Sequence, residues 1–269
     1  MEFLILLGIG LTVGGVAMAL DDDDDEIQGD TTADATDGND DLAGAPGGDT
    51  IFAKDGIDIV DGNGGGDRLF GQDGADLLTG GEGDDFLRGG SGSDIIIDAQ
   101  GSDTLIGDLG SDLIVATSAV DPDDAMQLVR DWLENEDPDE ALQLERDLGA
   151  PDTDDDADVI QAGRGDDEVY AGSGDTVALG EGYDELVLGD WIETGDEPVV
   201  LTDYSPLEDM IVYYYDGAAA APEITVENTL DEFGDEDDAL LLANGEVFAR
   251  IDGAGGLVSP HSVWVLERS

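Results

Sequence analysis

"GQDGADLLTGGEGDDFLRGGSGSD", residues 71–94, spends eight of its twenty-four positions on glycine and returns at fixed intervals to aspartate. Glycine weakens regular structure and clustered carboxylates repel, so the explanation must lie in the spacing. Glycine recurs at 38, 47, 56, 65, 74, 83, 92, 101 and 110. Aspartate follows two places later each time, and an aliphatic residue two places later again, from Leu42 and Ile51 through Leu105 and Ile114. Three residue classes held in one register at a period of nine identify a repeat architecture.

Each unit reads as a six-residue turn followed by a three-residue strand, "GGEGDD" then "FLR". Glycine supplies the positive φ of a tight turn, and the central aliphatic side chain of each strand points into a shared core. Two units make one coil of a flattened roll, so residues eighteen apart stack at about 4.8 Å.

The aspartates then form two ladders. Asp40, Asp58, Asp76, Asp94 and Asp112 run along one side, and Asp49, Asp67, Asp85 and Asp103 along the other. At an effective dielectric of 20, two carboxylates about 4.8 Å apart repel by about 3 kcal/mol, and a core of one aliphatic residue per unit does not easily overcome several such terms. A cation between the rungs is required. Carboxylates and turn carbonyls are hard oxygen donors, and the chain has no cysteine and one histidine, which disfavours zinc and copper and favours calcium.

"GGEGDDFLR" and "GGSGSDIII" resemble the G-G-x-G-x-D-x-U-x nonapeptide of the RTX, or hemolysin-type, calcium-binding family, a pattern also among known repeat signatures. The resemblance implies a calcium-loaded parallel β-roll with several ions. Its ligands would be the ladder aspartates above, together with turn carbonyls near Gly47, Gly56, Gly65, Gly74, Gly83, Gly92 and Gly101. Three units depart from the pattern: "DAQGSDTLI" has Asp98 in place of the first glycine, "AKDGIDIVD" begins with alanine and lysine, and "GAPGGDTIF" carries a proline. Weaker or empty sites are expected there.

A second repeat block spans 156–190. Asp158 and Asp167 keep the nine-residue step; Asp175 comes one place early and is left unassigned, and Asp184 follows nine later. Between the blocks, residues 116–155 lose the register. Asp121-Pro122 and Asp137-Pro138 read as helix starts and Gly149 as a stop, with Met126, Val129, Trp132 and Leu133 on one stripe and Ala141, Leu144 and Leu148 on another. A helical hairpin that packs on the roll is expected. Presentation of Trp132 or Arg130 to a partner is the other reading.

The ends differ from the middle. Residues 3–20, "FLILLGIGLTVGGVAMAL", carry no charge and are long enough for a membrane-spanning helix. Gly10 and Gly14 form a G-x-x-x-G that would let other transmembrane subunits approach closely. "AMA" at 17–19 resembles a cleavage site, but no basic residue precedes the apolar run. The segment 1–20 is read as a retained anchor, giving an inner-membrane, single-pass protein with its bulk in the periplasm; an extracellular protein is the alternative. Residues 21–37 are acidic and apolar-poor, the composition of a tether. Residues 191–269 alternate short apolar runs with turn residues and are expected to form a compact antiparallel β module that caps the roll.

No H-E-x-x-H, G-x-S-x-G, P-loop or cysteine nucleophile occurs, so no enzyme is expected. The formal net charge of −61 would remain near −41 after about ten calcium ions bind, a balance that excludes nucleic acid and favours basic protein partners. The resulting expectation is a non-enzymatic, calcium-binding accessory subunit of a bacterial membrane complex. The alternatives are a secreted RTX-type adhesive or matrix protein and the calcium-binding module of a hydrolase.

Overall fold

The computed structural model describes residues 25–26, 32–98, 100–118, 157–192, 196–217, 220–231, 233–234 and 236–268. The chain winds through them as a flattened roll between two sheets. One sheet takes β1 (Asp25–Glu26), β3 (Asp41–Ala43), β5 (Ile59–Asp61), β7 (Leu77–Thr79), β9 (Ile95–Ile97), β11 (Leu113–Ala116), β13 (Glu168–Ala171), β15 (Glu185–Gly189), β17 (Met210–Asp216) and β21 (Val263–Arg268), neighbours in that order. The facing sheet runs from β2 (Thr32–Asp34) through β4 (Thr50–Gly56), β6 (Arg68–Gly74), β8 (Phe86–Ser91), β10 (Thr104–Leu109), β12 (Val159–Arg164), β14 (Thr176–Glu181) and β16 (Val199–Leu201). It continues through β20 (Glu246–Ile251) and β19 (Glu236–Ala243) to β18 (Ile224–Leu230).

Pairing within the repeats is parallel at a step of eighteen, so Ile51 lies beside Leu69 and Leu69 beside Leu87. The repeat aliphatics Ile51, Val60, Leu69, Leu78, Leu87, Ile96, Leu105 and Ile114 are all fully buried between the sheets, which makes the ninth-residue spacing the code for the core. On the outer face of the second sheet Phe52 stacks on Phe70 at 4.8 Å, and Phe86 follows at 5.7 Å. Cross-strand pairs of this kind help fix the register of a parallel ladder.

The coil also absorbs irregular lengths. Leu105 pairs with Ile160 and Ile114 with Val169 across the long insertion, and the second block then advances by seventeen, with Ile160 beside Val177. The helical hairpin expected over 116–155 lies, from residue 119 onward, outside the described residues. The described residues hold a single helical element, the 3-10 turn Pro260–Ser262.

Three sequence expectations are corrected. The acidic segment 21–37 is not solely a tether, because β1 pairs with β3 and β2 with β4; main-chain hydrogen bonds at a sheet edge do not need apolar side chains. The C-terminal part is not a separate antiparallel module. β16, β17, β20 and β21 extend the roll in parallel, and only β18, β19 and β20 pair antiparallel. Alternating apolar runs specify strands but not their direction. Finally, the inner-membrane, single-pass placement is withdrawn, since no helix among the described residues is long and apolar enough to cross a membrane. Residues 3–20, with Gly10 and Gly14, lie outside the described residues.

Candidate metal centre

Each ladder aspartate sits at the last position of a turn, just before a strand, and is fixed there by the coil beside it. Asp58 Oδ1 accepts the backbone N–H of Asp40 at 2.8 Å, Asp76 that of Asp58 at 2.9 Å, Asp94 that of Asp76 at 2.9 Å and Asp112 that of Asp94 at 2.9 Å. The same bond continues from Asp167 to Asp112 at 2.8 Å and from Asp184 to Asp167 at 2.9 Å. On the other ladder Asp67 accepts from Asp49 at 2.7 Å, Asp85 from Asp67 at 2.6 Å, Asp103 from Asp85 at 2.8 Å and Asp158 from Asp103 at 2.8 Å. Both ladders therefore run on through the second repeat block.

That bond uses one oxygen of each carboxylate. The other, Oδ2, is buried without a hydrogen-bond partner at Asp58, Asp67, Asp76, Asp85, Asp94, Asp112, Asp167 and Asp184. A buried carboxylate oxygen without a partner is costly, and a row of them marks where a positive ligand belongs.

The glycines show the shape of that place. A Cβ on Gly62 would meet Asp67 Oδ2 at 2.5 Å and the Gly80 carbonyl oxygen at 2.6 Å; a Cβ on Gly71 would meet Asp76 Oδ2 and the Gly89 carbonyl in the same way. The first glycine of a unit thus leaves open a cradle walled by a free carboxylate oxygen and a carbonyl from the next coil. The fourth-position glycines have a different surrounding. Gly74 has φ 144°, and a Cβ there would overlap the Gly56 carbonyl; the carbonyls of Gly47, Gly65, Gly74, Gly83 and Gly92 face the glycine one coil on in the same manner. Near Gly56 and Gly101 the close carboxylate atom is Oδ1, the oxygen already engaged.

The chemistry follows from the donors. Carboxylate and carbonyl oxygens in a dry cradle suit a large, hard, flexibly coordinated cation, so the residues present fit calcium. Oδ2 of the ladder aspartates and the first-position carbonyls would hold it, and a bound dication would relieve the repulsion between rungs.

Burial is the first cause of the ladder's acid-base behaviour. It pushes the carboxyls of Asp67 and Asp167 up to about 6, those of Asp58, Asp76, Asp112 and Asp184 up to about 7, and that of Asp94 up to about 8. The N–H each accepts acts in the opposite direction without offsetting burial.

The ends of the ladders differ from the middle. Asp49 Oδ2 accepts the Ala45 N–H at 2.8 Å, and Asp40 Oδ2 accepts that of Thr36 at 2.9 Å, so the turns around Pro46 and residue 36 close on their own carboxylates. Three residues that the repeat pattern does not assign also belong here. Asp175 Oδ1 accepts the Asp158 N–H at 3.0 Å, which makes it the rung after Asp158; the step of seventeen is the signal for it. Asp209 continues the other ladder, since Met210 N–H donates to the Asp184 carbonyl at 2.8 Å, and its Oδ1 is buried without a partner. Asp98 is buried with neither oxygen hydrogen-bonded, and its carboxylate lies within 4.8 Å of those of Asp85 and Asp103. Among the described residues, the ion pairs Arg88–Asp108, Arg164–Glu181 and Arg250–Asp252 lie outside the ladders and do not substitute for a cation. His261 is exposed in the 3-10 turn Pro260–Ser262.

The family model described as RTX calcium-binding nonapeptide repeat (4 copies) matches residues 27–60, 34–68, 61–96, 79–114 and 152–186. No curated protein matches the chain. Among solved structures, the crystal structure of extracellular lipase LipA from Serratia marcescens is similar at 14% identity and a TM-score of 0.24. The similarity covers 86% of this chain and 39% of the lipase, so the chain spans well under half of that protein.

Proposed function

Residues 27–114 and 152–186 are RTX calcium-binding nonapeptide repeats, and on that premise we propose that the chain is a non-enzymatic, calcium-stabilised structural protein of the extracellular space. The observation that carries this reading is the row of buried aspartates such as Asp58, Asp76, Asp94 and Asp112, with one oxygen taken by the neighbouring coil and the other left for a cation. Sites built from turn carbonyls and few carboxylates match the weak end of calcium affinities, about 10⁻⁴–10⁻³ M, which suits the calcium levels outside cells. Folding would then be coupled to export: the chain stays open where calcium is scarce and winds up where it is abundant.

Once loaded, the roll is a rigid and strongly acidic body. Its charge supports long-range attraction of basic proteins and disfavours nucleic acid.

A calcium titration of the full chain followed by circular dichroism and limited proteolysis tests the proposal. Cooperative gain of β-structure and protease resistance toward millimolar calcium supports it, and spectra unchanged across the titration sink it. Esterase, protease or glycosidase turnover above background by the loaded chain would overturn the non-enzymatic part. Retention of the chain inside cells would overturn the extracellular part.

A further inference from the structure

Asp98 stands where the repeat calls for its first glycine, and the substitution occurs at one level of the roll. At the preceding levels, the cradle over Gly62 holds Asp67 Oδ2 and the Gly80 carbonyl, and the cradle over Gly71 holds Asp76 Oδ2 and the Gly89 carbonyl. Asp98 follows Gly80 by eighteen residues, as Gly80 follows Gly62 and Gly89 follows Gly71. Over Gly80, the two atoms that a Cβ would strike first are both carboxylate oxygens, Asp98 Oδ2 and Asp85 Oδ2. A third carboxylate, that of Asp103 on the next rung, lies within 4.8 Å of both side chains.

The side chain is committed to this place. Asp98 is 1% exposed, its backbone N–H donates to the Val115 carbonyl at 2.9 Å, and both of its carboxylate oxygens are buried without a hydrogen-bond partner. Nothing about the fold requires an acid there, because the glycine of neighbouring units serves the same turn. A fully buried, ionised carboxylate aimed at two others is strongly unfavourable unless a cation sits among them; without one the group holds its proton.

Charge counting separates this level from the rest. Each ladder contributes one new carboxylate per coil, so one dication per coil carries an excess positive charge that the ladder does not cancel. At the Asp85–Asp103 level Asp98 supplies the second carboxylate and brings the balance to neutrality. Affinity for calcium rises with ligand charge count and site rigidity, and both are highest here.

We propose that Asp85, Asp98 and Asp103 form a distinct three-carboxylate calcium site that fills before the rest of the roll and seeds its winding. The inference rests on the calcium reading of the repeats and reverses the expectation that the "DAQGSD" departure weakens its site. Its position suits a seed: β8, β9 and β10 lie within the first block, with coils to extend on both sides.

Isothermal titration of the calcium-free full chain with calcium alone, read beside circular dichroism, is the test. The wild-type chain should take up its first equivalent about tenfold or more tighter than the remainder. Asp98→Gly, which restores the repeat glycine, and Asp98→Asn, which keeps the side-chain size, should both lose that tight class while still winding up at saturating calcium. Glu227→Gln, at an exposed acid of β18 outside both ladders, should leave it in place. A tight class retained in both Asp98 variants, or absent from the wild-type chain, overturns the proposal. If Asp98→Gly fails to fold at saturating calcium, Asp98→Asn decides by the same criterion. Absence of any calcium uptake is a separate result, because it removes the ladder reading itself.

Discussion

The repeat coils within 38–118 and 157–188 and the last coils, from Val199 to Arg268, build the same two sheets by different means. The repeat coils bury an aliphatic residue at every ninth position, such as Leu69, Leu78 and Leu87, joined on one sheet by neighbours such as Ile59, Leu77, Ile95 and Ile97, with a buried acid beside each. The last coils carry dense apolar strands: Ile211, Val212, Tyr213 and Tyr214 are buried along β17, and Phe248, Ala249 and Ile251 along β20, with Tyr213 and Phe248 rings 4.7 Å apart. One ladder stops where Val199 takes the place after Asp175, and the other stops at Asp209. Burying the one to three aliphatic side chains of a unit contributes about 2–6 kcal/mol, less than ordering its nine residues costs. Repeats of this composition therefore depend on a ligand, whereas the C-terminal coils have side-chain surface of their own.

Removal of calcium should separate the two regions most. With EGTA, amide exchange protection should collapse across Ile51–Ala116 and Val159–Leu188 and survive best in Leu240–Ile251, as read by hydrogen exchange with mass spectrometry. Equal loss in both regions would show that the C-terminal coils have no stability of their own.

A backbone lesion should follow in size. Gly74→Ala forces a Cβ into the Gly56 carbonyl at φ 144° and should cost about 3 kcal/mol by strain and overpacking, lowering the thermal midpoint of the calcium-loaded protein. Phe248→Ala removes a packed ring from the other region and should cost about 3 kcal/mol as well. The informative readout is calcium dependence: the calcium midpoint should shift for Gly74→Ala and hold steady for Phe248→Ala.

A pH titration sharpens the contrast further. In the calcium-free repeats the folded carboxyls lie at about 6 to 8, above their ordinary value of 3.8, so the fold binds more protons than the open chain does. The stability this contributes is fully present below about pH 4 and is lost as pH rises through 6 to 8. Calcium-free β-structure measured by circular dichroism should thus increase on acidification. With calcium bound the ligands must be deprotonated, and the slope should reverse. The smallest effect is expected at the ladder's edge. Asp49→Asn should change calcium uptake less than Asp76→Asn does, because Asp49 Oδ2 already holds the Ala45 N–H while Asp76 Oδ2 has no partner.

The period of nine was sufficient to place Ile51, Val60, Leu69, Leu78 and their successors in the core and to put Asp58, Asp76, Asp94 and Asp112 on a single ladder, because identical units repeat identical contacts. It was insufficient wherever the register slips. Asp175 and Asp209 take ladder positions at steps of seventeen and twenty-five, since what counts is the coil closed beneath them, not the residues counted along it. Strand direction at the C-terminus was equally hidden, because an alternating run looks the same from either end.

The coil, its core and the need for a cation follow from residue type at a fixed period and were legible along the chain. The free oxygen of Asp58, Asp76 and Asp94, the carbonyls that share its cradle, and the meeting of Asp98 with Asp85 and Asp103 emerge only once the coils are stacked. Those are relations between neighbouring coils, fixed by main-chain hydrogen bonds eighteen residues apart, and no local stretch of chain contains both partners.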